Sequence, residues 1–119
     1  MKDYHQLEVW QRSHQLTLAV YAATKHFPNE ELFGLTSQLR RACSSIPANL
    51  AEGCGRDSAA ELKRYIDIAH GSASETEYHL LLAFELHYFT AAVHQPLADE
   101  ISQIKRVLGA LSRKLRADR

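Results

Sequence analysis

Seven histidines, two cysteines and fourteen carboxylates are the residues of this 119-residue chain that could do chemistry. Histidine suits metals. Di-iron and di-manganese sites in helical bundles take a Glu-x-x-His from each of two helices and a glutamate from each of the other two. The chain contains no Glu-x-x-His; its nearest approach, Asp67-Ile68-Ala69-His70, occurs once. Cys43 and Cys54 form no Cys-x-x-Cys and no zinc spacing. Eleven residues of helix would separate them by about 16 Å, whereas a disulfide needs Cα atoms within about 7 Å. They are expected as free thiols serving as small apolar residues, in keeping with a reducing compartment. Ser72 and Ser74 lack the strand-turn-helix setting that exposes a nucleophile. Glu52-Gly53-Cys54-Gly55 reads as a helix stop rather than a phosphate loop. No catalytic residue, metal or cofactor is expected.

Basic side chains remain, and what they can do depends on where the fold gathers them. Fourteen Lys and Arg balance fourteen Asp and Glu, so composition alone supplies no polycation. Hydrophobic residues make up 45% and charged residues 24%, the balance of a folded chain rather than a disordered one. One domain over residues 1–119 is expected, large enough to need no disulfide or metal staple. The longest apolar run, Leu18 to Ala23, falls far short of a membrane span. Met1 to His5 leads into a helical pattern without the apolar core of a signal peptide. The expected compartment is the cytoplasm, with no membrane partner.

No stretch sustains period-two alternation, and four stretches show helical period. The first is expected from about Tyr4 to His26, with one stripe of Leu7, Trp10, Leu18 and Tyr21 beside another of Val9, Leu16, Val20, Ala23 and Phe27; Pro28 stops it. Asn29-Glu30-Glu31 offers a cap for the second, expected from Leu35 to Cys54 with Leu35, Leu39, Ala42, Ile46 and Leu50 inward. Pro47 deprives the Cys43 carbonyl of its partner and predicts a bend, with Ser44 and Ser45 near the freed group. Gly53 and Gly55 are expected to close this helix in the left-handed conformation. Ser58 and Glu61 form a capping box for the third, expected to reach Phe89. Its seam is Leu62, Ile66, Ala69, Ala73, Thr76, Leu80, Ala83 and His87, with Gly71 either a tolerated cost or a close crossing. The fourth is expected from Pro96, a residue suited to the first helical position, with Leu97, Ile101, Ile104, Leu108, Leu111 and Leu115 inward. Short connections between such helices predict an all-α, antiparallel up-down-up-down four-helix bundle.

That topology gives the neutral chain a polarity. One end collects residues 1–13, 45–66 and 107–119, which hold nine basic residues against six acidic ones and carry +3; the rest carries −3. The basic set is Lys2, Arg12, Arg56, Lys63, Arg64, Arg113, Lys114, Arg116 and Arg119. It is either a solvated face or, if copies assemble side by side, a phosphate-binding rim. The candidate nucleic-acid residues are Arg56, Lys63, Arg64, Arg113, Lys114 and Arg116.

The middle of the chain is more specific than its physics. Phe27-Pro28, Gly34-Leu35-Thr36-Ser37-Gln38-Leu39-Arg40-Arg41-Ala42, Ser45-Ile46-Pro47-Ala48-Asn49-Leu50-Ala51-Glu52-Gly53, Arg56, and Ile68-Ala69-His70-Gly71-Ser72 with Glu75 stand in order, after Val9-Trp10-Gln11 near the start. In these the chain resembles the four-helix-bundle family encoded in intervening sequences of bacterial 23S rRNA genes. That family includes the accessory variability determinant protein of diversity-generating retroelements. The resemblance implies a ring-shaped homopentamer without catalysis, and from the retroelement relative, contact with nucleic acid and a reverse transcriptase.

Folding the second and third helices back about Arg56 brings Arg41 toward Gly71 and Ser72, and Gln38 toward Glu75, while Asn49 and Glu52 face Arg64 and Glu61. Gln38, Arg41, Asn49, Glu52, Ser72 and Glu75 thus form a candidate polar network, fixing helix register or pairing between subunits. Two functions are consistent with all of this: a non-enzymatic homo-oligomeric scaffold, a pentamer binding RNA, DNA or a nucleic-acid enzyme through its basic rim, and a protein-interaction module without nucleic-acid contact.

Overall fold

The computed structural model describes residues 3–117, among which there are four α-helices and no strand. The first helix, α1 (Glu8–Ala23), is shorter than its apolar period. Leu7 is extended (φ −83°, ψ 115°) and sets off a separate 3-10 turn, Tyr4–Gln6, where the Asp3 carboxylate accepts the His5 N–H at 3.0 Å. At the other end the chain tightens into a 3-10 turn, Thr24–His26, and Phe27 turns extended ahead of Pro28. Only one of the two apolar stripes is mostly buried, although Leu7 and Trp10 of the other pack partly buried against the core. Val9, Leu16, Val20 and Phe27 are buried together with Ser13 and Thr17, whereas Leu18 and Tyr21 are 52% and 42% exposed.

Helix α2 (Leu35–Cys54) keeps the expected bounds. Its start is held by Glu31: one carboxylate oxygen accepts the Leu35 N–H at 3.1 Å, and the other accepts the Tyr88 hydroxyl at 2.9 Å. Pro47 stays inside the helix. The Cys43 carbonyl that it orphans lies 3.4 Å from the Thr17 hydroxyl of α1, which donates at 2.8 Å to the Ser13 carbonyl. The helix does not close on left-handed glycine as expected. Gly55 is right-handed (φ −85°) and no described glycine has positive φ. Closure comes instead from i→i−3 bonds, Gly55 N–H to the Glu52 carbonyl and Arg56 N–H to the Gly53 carbonyl, both 3.1 Å.

Helix α3 (Ala59–Glu85) begins at the capping box, with the Ser58 hydroxyl accepting the Glu61 N–H at 3.1 Å. It ends before Phe89 because His87 takes φ 65°. The His87 N–H donates to the Phe84 carbonyl and the Tyr88 N–H to the Ala83 carbonyl, both at 2.9 Å, the paired bonds of a Schellman closure. His87, expected in the seam, is therefore an exposed turn residue. Helix α4 (Ala91–Ala117) starts five residues before Pro96. Thr90 supplies the cap, its hydroxyl accepting the Val93 N–H at 3.3 Å and its carbonyl the His94 N–H at 2.9 Å. Pro96 then costs only the bond to the Ala92 carbonyl.

The helices meet through the stripes. Leu39, Ile46, Leu50, Leu80, Ile101, Ile104 and Leu108 are fully buried, each worth about 1.5–3 kcal/mol relative to exposure. The contacts between helices are specific. Thr17 reaches Cys43, and the Arg40 Nε donates to the Thr24 hydroxyl at 2.8 Å. The hydroxyls of Ser45 and Ser72 are 2.9 Å apart. Lys105 donates to Glu77 at 2.9 Å, and Ser112 donates to Asp67. Arg12 grips Glu100 with two donors at 2.9 and 2.7 Å. Helices α2 and α3 approach closely at Gly53, where a Cβ would stand 2.8 Å from the Tyr65 Cβ and 3.2 Å from Leu62 Cδ1. Gly71, the other candidate crossing, has nothing within 4 Å of such an atom.

The two glycines therefore respond oppositely to one methyl group. Gly71→Ala is expected to stabilise the chain by about 0.5–1 kcal/mol, the ordinary gain in a helix interior. Gly53→Ala is expected to destabilise it by about 1–3 kcal/mol through overpacking. Urea unfolding of the two variants checks both signs.

Candidate nucleic-acid interface

Leu7, Cys54, Leu62, Ile66, Leu111, Lys114 and Leu115 line one cavity of about 250 Å³. The starts of α1 and α3 therefore share an end of the molecule with the finishes of α2 and α4. The basic residues around this end are not equivalent. Arg56 donates to Glu52 at 2.6 Å and to the Tyr65 hydroxyl at 2.8 Å, and that hydroxyl donates onward to Glu52 at 3.2 Å. The Glu52 hydrogen bond raises the Arg56 guanidinium further above its already high range. Lys63 donates to Asp67 at 2.7 Å. These two cations carry local partners one helical turn away. Arg64 lies 5.0 Å from the centre of the Tyr65 ring, within cation–π reach. Arg64, Arg113, Lys114 and Arg116 are exposed and have no carboxylate partner among the described residues. Lys2, Asp118 and Arg119, also counted in the basic end, lie outside the described residues.

Four of the six residues of the polar network separate into three places, and Gln38 and Arg41 stand apart from them. Asn49 donates to the Ser45 carbonyl at 2.8 Å and to the Ser45 hydroxyl at 3.0 Å, and Ser45 meets Ser72. Ser45, not Arg41, is thus the α2 side chain that reaches Ser72. Glu52 belongs to the Arg56–Tyr65 cluster rather than to Arg64 and Glu61. Glu75 sits 3.0 Å from the Nε2 of His79 on its own helix. Gln38 and Arg41 are exposed, and their side chains make no hydrogen bond among the described residues. His79 is a buried histidine that the sequence pattern did not single out; neither its Nδ1 nor the buried Thr36 hydroxyl has a partner among the described residues.

Among the described residues no three His, Cys, Asp or Glu side chains gather as a metal site. Cys43 and Cys54 are buried and form no disulfide among the described residues, and burial pushes the Cys43 thiol up to about 11, leaving it a poor nucleophile. Among the described residues no helix is long and apolar enough to cross a membrane. The arrangement offers cations without neutralising partners, and hydroxyls and amides that tie helices together.

The family model described as 23S rRNA-intervening sequence protein matches residues 5–110. A crystal structure of a protein of unknown function from the S23 ribosomal protein family of Bacteroides thetaiotaomicron is similar, with a TM-score of 0.81 and 26% identity. The match covers 88% of this chain and 95% of that one. No curated protein matches.

Asp67 links α3 to α4 beside this end. Partial burial alone would raise its carboxyl, but the hydrogen bonds from Lys63 and Ser112 prevail and hold it below the usual carboxylate range. A lowered folded value means that its contribution to stability is present above the ordinary Asp range. That contribution is lost as pH falls through the folded value. Asp67→Asn is expected to lower stability near neutrality and to flatten the acid limb of the stability curve. Urea midpoints between pH 6 and pH 2, taken as an order-of-magnitude window about the Asp range, check this.

Proposed function

The chain belongs to the 23S rRNA-intervening sequence protein family, and on that footing we propose a non-enzymatic scaffold whose copies form a ring with a basic rim for RNA or DNA. Each copy is an antiparallel up-down-up-down bundle. The mirrored order of the pairings supports this: along α2 and α3, Ser45 meets Ser72 while the later Gly53 meets the earlier Tyr65. Along α3 and α4, Asp67 meets Ser112 while the later Glu77 meets the earlier Lys105. The observation that carries the nucleic-acid reading is the set of four cations, Arg64, Arg113, Lys114 and Arg116, without carboxylate partners among the described residues, near the end where all four helices contribute. Each copy adds its own set to a common rim, and polyphosphate affinity grows with every neutralised phosphate.

Self-association has separate support. Phe33 is 92% exposed, and with Leu32 and Tyr21 it lines an open groove that also takes in Arg40 and Arg41. An apolar cluster of this kind marks a contact surface on a soluble protein. A second copy fits it, and head-to-tail contacts between different faces close into rings. The pentameric count, and a reverse transcriptase as an enzyme partner, come from the family resemblance. We place the protein in the cytoplasm, in keeping with two cysteines that form no disulfide among the described residues. The same groove also favours a second reading, a protein-interaction module with no nucleic-acid contact.

Two experiments separate these readings. Single-stranded RNA is expected to bind with an affinity that falls steeply with salt. Arg113→Glu, Lys114→Glu and Arg116→Glu together are expected to abolish it, with the salt slope shallower by about one unit per lost phosphate contact in the single variants. Absence of binding at low salt removes the nucleic-acid reading and leaves the interaction module. Phe33→Asp is expected to convert an oligomer into a 13.5 kDa monomer by light scattering without loss of helicity. A wild-type monomer at micromolar concentration removes the ring.

A further inference from the structure

Away from the rim, α3 and α4 enclose an open groove of about 310 Å³. Its walls are His70 and Glu77 from α3, and Ser102, Lys105, Arg106, Gly109 and Arg113 from α4. The α4 residues recur at helical spacing along one face. Glu77, the acidic side chain of the groove, is already held by Lys105 at 2.9 Å. Arg106 and Arg113 have no ion pair among the described residues. The groove therefore presents two uncompensated guanidiniums, one imidazole and one hydroxyl.

Gly109 is what keeps it open. A Cβ there would lie 3.3 Å from the Arg113 Nη1 and 3.8 Å from the His70 Nε2. A guanidinium and an imidazole nitrogen from different helices thus converge over a backbone position with no side chain. Glycine inside a helix costs about 0.5–1 kcal/mol relative to alanine, so the helix gives up stability at the point where a side chain would fill the notch.

We propose that this notch seats a phosphate group, its source being the backbone of a bound strand. A planar carboxylate serves one fork of donors, whereas the tetrahedral oxygens of a phosphate can meet an imidazole on one wall and guanidiniums on the other. Arginine is the residue suited to that recognition, and charge-assisted bonds of this type are the strong ones. Arg113 belongs both to the notch and to the rim, so a strand on the rim continues along α3 and α4 toward Arg106. The choice of source rests on the nucleic-acid reading above; the seat itself does not.

The test uses the full-length chain and two probes. Titration with inorganic phosphate, followed by NMR, is expected to shift the His70 ring protons and the Gly109 amide. In Gly109→Leu, phosphate affinity is expected to fall about tenfold, the effect of losing one charge-assisted contact. Thermal stability is expected to rise because leucine is the better helix former. Should Gly109→Leu not fold, Arg106→Gln with Arg113→Gln leaves the notch open and is expected to lose phosphate binding as well. Fluorescence anisotropy with a single-stranded RNA separates the sources. Weakening of both probes in the variants supports the seat and the strand. Phosphate binding that the variants lose, with no RNA binding by the wild type, upholds the seat and overturns the strand as its source. Wild-type protein without phosphate-induced shifts, or variants with unchanged phosphate affinity, overturns the seat.

Discussion

The close approach of α2 and α3 at Gly53 governs much of the rest. A single added carbon there would stand 2.8 Å from Tyr65, so the two backbones run as near as side chains allow. That proximity brings the hydroxyls of Ser45 and Ser72 within 2.9 Å further along the pair, and it sets Tyr65 against Glu52 and Arg56. Small residues continue the theme, with Ala42, Ala69 and Ala73 buried along the two helices. Helix α4 then lies on α3 through Asp67–Ser112 and Glu77–Lys105, and Arg12 ties α1 to α4 through Glu100. Packing of the large apolar residues supplies the energy, while the tight crossing and these polar ties set the register.

Sequence reasoning located what depends on local pattern and misplaced what depends on contact. Leu35 to Cys54 and the Ser58 cap follow from neighbouring residues, and so does the inward face of α4. The end of α3 was not legible because a histidine, not a glycine, occupies the left-handed position, a conformation that costs a side chain about 1–2 kcal/mol. The start of α4 was drawn to Pro96, although Thr90 had the chemistry of a cap. Helical period also could not tell which of Gly53 and Gly71 marks a crossing, since that depends on rotation against a neighbour. On α1 two stripes competed, and Ser13 and Thr17, both polar, turned out to share the buried one.

The candidate interface divides the same way. Arg56 and Lys63 each have a carboxylate four residues away, Glu52 and Asp67, so their neutralisation was legible from spacing. Arg64, Arg113 and Arg116 have none at that spacing, and these are among the cations left exposed. The groove around Gly109 was invisible in the sequence because its walls come from two helices and its opening from a missing side chain. The resemblance carried the family and no more of the site than its residues. Charge on this protein is therefore a matter of location: once local pairs cancel, Arg64, Arg113, Lys114 and Arg116 stand without carboxylates among the described residues near one end, while Arg41 and Arg106 stand so elsewhere.

Glu31 is a small feature with a wide reach. Its two oxygens join the first turn of α2 to Tyr88, just beyond the end of α3. Two connections far apart in the chain are thereby fastened by a single carboxylate, at the end where Arg40 also ties α2 to Thr24. They are expected to open locally as one cooperative unit, with backbone amides on both sides exchanging with solvent at a common rate in hydrogen-exchange measurements.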